Sequence, residues 1–421
     1  MWGFPFLWPM NAECGQVSAD DKNDKEMLPF QYRESKSERL SRLPNEASAE
    51  MGSSDMESKG PELFEVGPSN DGYQMGLLIG QKFSKEIRSR LAGDLILQNQ
   101  LRPFAQTPQG KQLIEALSDN NRNKFPRYWD ELLGTAAGSG VSLLDVVLIN
   151  FRKEILPFVP KTLQVSSPES VDTIDDCSDV LVVSEDLAIA AHNEDANVAL
   201  VDHIYLIKAK LQNGLVFVGY TYAGELPSCA FGFNTHGLAF TLNSVPPSEH
   251  EIMAGGIGRN FVSRDLLEAT SMADALRIIH SCEVSVGHCY NLIYMPDRKI
   301  LNVETASRNR VSVREIGTTP FFHANMYLHL QVDQVQDDNS KCRQERAAVL
   351  AKTSKEDFLS ILGDMGDKRY PIYMNGPTLY TLCTAIIDID QQTLSIIKGN
   401  PKHGEISHVF SVSSADSKTL K

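Results

Sequence analysis

The sequence predicts an α+β layered fold, on three observations. Apolar residues up to about residue 155 recur at helical spacing. From Cys177 onward they form short strand-like runs bounded by turn residues, and helical stretches lie before and between the grouped hairpins. Antiparallel hairpins grouped in this way argue against a βαβ winding. No internal repeat is detected.

Three segments follow from the same reading. Residues 1–60 are expected to be a disordered tail. Beyond an apolar start that holds two prolines, they are rich in Ser, Glu, Asp, Asn and Lys, too polar to bury enough surface to offset chain entropy. The start has no basic region and no small-residue cleavage site, so it does not read as a signal peptide.

Residues 61–176 read as helical. Asn70-Asp71 can cap a helix whose stripe is Ile79, Phe83, Ile87, Leu91 and Leu95. Two more helices are expected over 108–119 and 123–137, the second ending in a flexible Gly134-Thr-Ala-Ala-Gly138-Ser-Gly140. Ser142-Leu-Leu-Asp145 has the form of a capping box opening a helix to about Ile155, and 157–176 reads as an exposed linker.

Residues 177–421 form the strand-rich segment. Strands are expected over 179–183, 187–192, 203–210, 215–222, 228–233, 238–243, 289–295, 299–305, 311–316, 380–389 and 393–398. Helices are expected over 261–280 and within 341–364.

Composition narrows the function classes. A net charge of −14 offers no basic face for sequence-independent nucleic-acid binding. Seven scattered cysteines with no CxxC suit neither a disulfide framework nor a zinc site, and point to a reducing, cytoplasmic setting. Cys282 and His288-Cys289 lack a fourth ligand at zinc-like spacing, so no metal is expected, and no cofactor. Gly255-Gly256-Ile257-Gly258 follows a loop and lacks phosphate-loop spacing. No apolar run is long enough for a membrane span.

Chemistry concentrates at Asp176-Cys177-Ser178-Asp179, which opens a hairpin ending in His192-Asn193-Glu194-Asp195. A cut between Asp176 and Cys177 would give Cys177 both a thiol and an α-amino group. That group titrates near ~8 and can serve as base to its own thiol. Asp195 would orient and charge-balance the ammonium. Asn325, in His323-Ala324-Asn325, could donate to a tetrahedral oxyanion without titrating, with Asn234 and Asn243 the next candidates. His192, Asn193 and Glu194 form a supporting polar cluster, and a dyad of Cys177 with His192 or His323 is the rival mechanism.

These residues carry a resemblance. Cys177-Ser178, Asp195 eighteen residues later and His323-Ala324-Asn325 resemble the penicillin acyltransferase-like Ntn-hydrolases. Gly134-Thr-Ala-Ala-Gly138, Tyr222-Ala223-Gly224, Asn234-Thr-His236-Gly237 and Tyr370-Pro371-Ile372 match as well, and look most like the insect N-β-alanyl-dopamine hydrolase branch. The resemblance spans about residues 62–412.

It implies an αββα sandwich made as an inactive precursor that cleaves itself into two fragments that stay associated. Cys177 would be the nucleophile, Asp195 the partner of its amino group and Asn325 the oxyanion donor. The family commonly has glycine before the nucleophile, where this chain has Asp176. The implied substrate is a small N-acyl amine, such as a β-alanyl amide of a biogenic amine. Glu194 or Glu225 would meet its ammonium, and Phe231, Phe233, Phe321 or Phe322 its aromatic ring. Acyl-CoA-dependent N-acyl transfer and a non-catalytic binding role are the alternatives.

Overall fold

A computed structural model describes residues 60–163 and 176–412. The expected tail and most of the expected linker lie outside the described residues.

The first segment opens with a strand, β1 (Glu62–Val66), before its helices: α1 (Gly72–Lys82), α2 (Ser84–Gly93), α3 (Arg102–Gln106), α4 (Pro108–Lys124), α5 (Pro126–Ser139), α6 (Leu143–Asn150) and α7 (Arg152–Ile155). Asp71 caps α1 by accepting from the Gln74 N–H at 3.0 Å. The stripe Ile79, Phe83, Ile87 and Leu91 is buried as expected, but Leu95 is 62% exposed. The helix stops at Gly93, and the extended backbone of Asp94 turns Leu95 outward.

Gly134 to Ser139 is helical rather than a flexible end. A Cβ on Gly76 would lie 2.0 Å from the Glu131 carbonyl, and one on Gly134 would lie 2.0 Å from the Tyr73 carbonyl. The glycines therefore let α1 and α5 pack backbone to backbone. Ser142 caps α6 alone: Asp145 turns to Arg102 at 2.7 Å instead of closing a capping box.

The remaining elements are β2 (Asp176–Val183), β3 (Ala188–Asn197), β4 (Ile204–Lys210), β5 (Val216–Tyr222), β6 (Phe231–Asn234), β7 (Leu238–Ser244), α8 (Arg259–Leu266), α9 (Met272–His280), β8 (His288–Tyr294), β9 (Lys299–Ala306), β10 (Arg310–Glu315), β11 (Phe321–His323), α10 (Asp338–Val349), α11 (Lys355–Leu362), β12 (Leu379–Asp388), β13 (Thr393–Lys398) and β14 (Glu405–Ser411). The described strands make an eight-stranded sheet, β1-β4-β5-β6-β7-β8-β9-β10, and a six-stranded sheet, β11-β2-β3-β12-β13-β14. The single helix expected over 261–280 is two, α8 and α9, and the helical pieces expected within 341–364 are α10 and α11. β11 and β14 were not anticipated. β2 begins at Asp176, which is buried, so the end of the expected exposed linker is a strand inside the protein.

Period-2 alternation sorts the side chains into three cores, and these define four layers. Ile207, Phe217 and Phe240 face out from the large sheet onto Ile79 of α1, Leu132 of α5, Leu266 of α8 and Ile278 of α9. Leu206, Val218 and Phe231 face the other way and meet Leu181, Ala190 and Ile396 of the small sheet. Val180, Ile189 and Ile386 on that sheet's outer face pack on Ala347 of α10 and Phe358 of α11. The result is an αββα sandwich.

Candidate active site

The β2–β3 register places the candidate residues on two faces. Asp176 pairs with Asp195, Cys177 with Glu194, Ser178 with Asn193 and Asp179 with His192. Directly opposed residues share a face and successive residues alternate. Cys177, Asp179, His192 and Glu194 therefore point between the sheets, while Asp176, Ser178, Asn193 and Asp195 point toward α10 and α11. β2 is an interior strand, with β11 on its other side.

Between the sheets, Cys177 Sγ lies 3.6 Å from Glu194 Oε2, and the other Glu194 oxygen accepts from the Tyr222 hydroxyl. His192 sits between two carboxylates, with Nε2 3.1 Å from Glu194 and Nδ1 2.9 Å from Asp179. Asp179 also accepts from Thr241 at 2.6 Å and Asn243 at 2.7 Å. Burial alone would lower the His192 pKa, but the two carboxylates outweigh it and push the pKa up to about 10. Each ring nitrogen is turned to a carboxylate rather than to the thiol. Glu194 is the base within reach.

His323, on β11 opposite Asp179, points to Glu304 at 3.4 Å. Burial favours the neutral Glu304 carboxyl. The His323 contact and the backbone N–H groups of Leu328 and Leu330 overcome this and pull its pKa down to about 2. His323 is thereby part of the anchor for the following loop. Neither histidine is arranged as the base of a dyad.

The backbone of Cys177 is held from the other side. Its N–H donates to Asn325 Oδ1 at 2.8 Å, and its carbonyl accepts from Arg343 Nη1 at 2.6 Å. Asn325 Nδ2 donates to the Ser244 carbonyl at 2.9 Å. A donor on one side and an acceptor on the other fix the orientation of this amide. Asn325 therefore presents an acceptor to the Cys177 nitrogen, whereas the sequence reading has it present an N–H to an oxyanion.

Arg343, fully buried on α10, also donates to Ser178 Oγ, Asn325 Oδ1 and Asn339 Oδ1, each at 2.9 Å, and lies 3.4 Å from the Asp176 carboxylate. Asn339 donates to Asp176 at 2.7 Å. Asp195, across from Asp176, accepts from Thr381 at 2.5 Å through one oxygen; the other has no partner among the described residues. Burial raises the Asp195 pKa to about 7, against the opposing pull of Arg343.

Other expected site residues are engaged elsewhere. Asn193 braces the helix layer through the Leu362 carbonyl at 2.8 Å and accepts from Thr384 at 2.7 Å. Asn234 faces the opposite side of the large sheet, with its amide on the Leu267 and Ala269 carbonyls. It supports the β6–β7 turn and is not brought to Cys177. Glu225 is buried against Arg90 at 2.5 Å and Asn260 at 2.9 Å, so its charge is already matched. Phe233 packs at a tilt against Phe410 between the sheets, and Phe322 packs under α11. Phe231 stays nearer the site, 6.1 Å from the His192 ring.

Among the described residues, two clusters have side-chain atoms close enough for a shared ion: Cys177 with His192 and Glu194, and His250 with Glu251 and Asp333. In the first, both ring nitrogens of His192 already face carboxylates, at 2.9 and 3.1 Å. In the second, Arg308 and Arg310 already pair with Glu251.

Sequence reasoning missed Arg343 and Asp179. Arg343 stands among charged neighbours on a predicted helix, with nothing local to single it out. Asp179 reads from sequence only as part of the strand opening; the signal for it is its place two residues after Cys177, hence on the same face.

Known proteins bear on this geometry. The family model for acyl-coenzyme A:6-aminopenicillanic acid acyl-transferase matches residues 182–403, beginning just after Cys177 and taking in Asp195 and Asn325. A beta-alanyl-dopamine/carcinine hydrolase of Drosophila melanogaster is 25% identical over 362 residues, covering 79% of this chain and 92% of that protein. An acyl-coenzyme A:6-aminopenicillanic-acid-acyltransferase of Emericella nidulans is 26% identical over 172 residues, covering 41% of this chain and 44% of its own. A Caenorhabditis elegans N-acylethanolamine-hydrolyzing acid amidase ortholog superposes with a TM-score of 0.35 at 10% identity, over 54% of this chain and 94% of that one. With more than half its length matched by the family model, the chain belongs to the acyl-coenzyme A:6-aminopenicillanic acid acyl-transferase family and is an enzyme of amide bonds.

Proposed function

We propose that this enzyme cleaves itself between Asp176 and Cys177, then hydrolyses small N-acyl amines through an acyl-Cys177 intermediate. The observation that carries the reading is the hold on Cys177. Its thiol faces a carboxylate between the sheets, while Asn325 and Arg343 secure its nitrogen and carbonyl.

In the intact chain the Cys177 nitrogen is an amide and cannot act as a base, so Glu194 takes the thiol proton. The thiolate attacks the Asp176 carbonyl carbon, the C–N bond breaks, and the nitrogen leaves with a proton as the α-amine. Water then cleaves the Asp176–Cys177 thioester, releasing the Asp176 carboxylate and the thiol. Fragments 1–176 and 177–421 stay together because β1 pairs with β4 and the α1–α5 layer shares a core with the large sheet.

In the processed enzyme the α-amine takes over as base, since it titrates near ~8. Asn325 Oδ1 positions it, and the spare Asp195 oxygen balances its charge. The thiolate attacks a substrate amide, the proton passes to the departing amine, and water cleaves the acyl-cysteine. Asn325 Nδ2 carries two hydrogens, so it can serve as the oxyanion donor through the second while the first stays on the Ser244 carbonyl.

The Drosophila relative supports β-alanyl amides of biogenic amines as a first substrate class. The Emericella relative supports acyl transfer to an acceptor amine as a second reading. A thiol nucleophile must stay reduced, which suits a cytoplasmic setting.

Mass spectrometry of the purified protein tests the proposal. Fragments split at Asp176–Cys177 are expected, with Cys177→Ala intact and inactive. An intact chain with full amidase activity would remove the mechanism.

A further inference from the structure

A general base must be ionised before it can take a proton, and Glu194 sits where a charge is opposed from several sides. The side chain is buried, which by itself favours the neutral carboxyl. Asp195, next along the strand, repels a charge on Glu194, and so does Asp179 on β2, on the far side of His192. The thiols of Cys177 on β2, Cys229 after β5 and Cys383 on β12 lie around it and bring no positive charge. Tyr220 of β5 is close as well, with its hydroxyl beside Cys383. Against these stand the His192 ring nitrogen at 3.1 Å and the hydroxyl of Tyr222.

The two Glu194 oxygens have separate tasks. Oε2 faces the Cys177 thiol at 3.6 Å, and Oε1 accepts from the Tyr222 hydroxyl. A hydrogen bond donated to the charged form of a carboxyl favours that form, and here it also fixes which oxygen the thiol meets. Tyr222 is itself firmly placed. It closes β5, its N–H donates to Cys229 Sγ at 3.3 Å, and its ring stands edge-on to Tyr220 at 5.9 Å. Arg90 of α2 lies 5.6 Å from the ring centre, donates to the Ala223 carbonyl at 2.9 Å and pairs with Glu225 at 2.5 Å. The turn after Tyr222 is thereby tied to the helices of the first 176 residues.

We infer that Tyr222 is a positioning residue for self-cleavage: its hydroxyl keeps Glu194 ionised and aims the other carboxylate oxygen at the Cys177 thiol. This rests on the self-cleavage reading and deepens it. Arg90 supports the arrangement from the part of the chain that becomes the other fragment.

The test uses full-length precursor made by cell-free synthesis and transferred to buffers from pH 5 to 9, with fragment formation timed by mass spectrometry. In the wild-type chain the rate should rise with pH as Glu194 loses its proton. In Tyr222→Phe the rising limb should move to higher pH by about one to two units, the size of one hydrogen bond to a charged group. Tyr220→Phe removes a hydroxyl from the same face of the same strand and should leave the limb in place. Replacing Tyr222 with 3-fluorotyrosine keeps the shape, strengthens the donor and should move the limb the other way. An unmoved limb in the folded Tyr222→Phe chain, or a rate lowered equally at every pH, would overturn the inference, as would an equal displacement in Tyr220→Phe. If Tyr222→Phe misfolds, the fluorinated chain decides, and an unmoved limb there overturns the inference. A wild-type precursor that never cleaves removes the self-cleavage reading itself, whereas wild-type cleavage with an unmoved limb in the variants removes this inference alone.

Discussion

Replacing Asp195 with Asn should flatten the dependence of precursor stability on pH. Asp195 is fully buried, and its pKa is raised from 3.8 to about 7, chiefly by burial. Because the folded value lies above the unfolded one, the native chain keeps a proton that the unfolded chain has lost between these two pH values. The stabilisation is fully present below the unfolded pKa and is lost as pH rises through about 7. Each pH unit removes about 1.4 kcal/mol, so the interval from pH 5 to 7 removes about 3 kcal/mol, and the whole shift about 4 kcal/mol.

His192 has the same sign but a later window. Its contribution is lost as pH rises from its ordinary value of 6.5 through about 10. The measurement is chemical denaturation of the uncleavable Cys177→Ala precursor from pH 4 to 9, with and without Asp195→Asn. The difference between the two curves isolates Asp195 from the other titrating groups. Parallel curves would refute the assignment of a raised pKa to this carboxyl.

The other variants read out rates. Glu194→Gln should slow self-cleavage by a factor of order 10² or more, as expected for loss of a general base, whereas His192→Gln should act mainly through misplacing Glu194 and cost less. Fragment appearance over time on a gel or by mass spectrometry checks both, and the reverse order would restore the cysteine–histidine dyad. Asn325→Ala should lower turnover by a factor of order 10²–10³ if its amide donates to the oxyanion. A role confined to holding the Cys177 nitrogen would appear instead as a shifted pH–rate profile for kcat/KM.

The hairpin that carries the site was legible because Val180 to Val183 and Leu187 to Ala191 are apolar runs flanking a polar turn. Its first three residues were not read as strand, since Asp176 and Ser178 look like solvent-facing residues. Their burial depends on Arg343, which comes more than 160 residues later in the chain. β11 is three residues long and gives no periodic signal. β14 is an edge strand with mostly exposed or half-buried side chains, so its apolar alternation is weak. The glycines of α5 pointed to flexibility in isolation, whereas their use appears only when α1 lies against them. Cys177, Asp195 and Asn325 could be named from local pattern and resemblance. The faces they occupy followed only from the strand register.

The bond between Asp176 and Cys177 lies inside the sandwich, at the start of a strand bordered on both sides, and both residues are buried. No outside protease can seat that bond without first pulling the small sheet apart. Under the proposed maturation, the groups needed to cut it come from β3, the loop after β11 and α10, and they meet only when both sheets are closed and the helices are docked. A chain that misfolds would never acquire the amino group its chemistry requires. Activity would then be granted only to molecules that have completed their fold, and the fraction cleaved in a cell would count them.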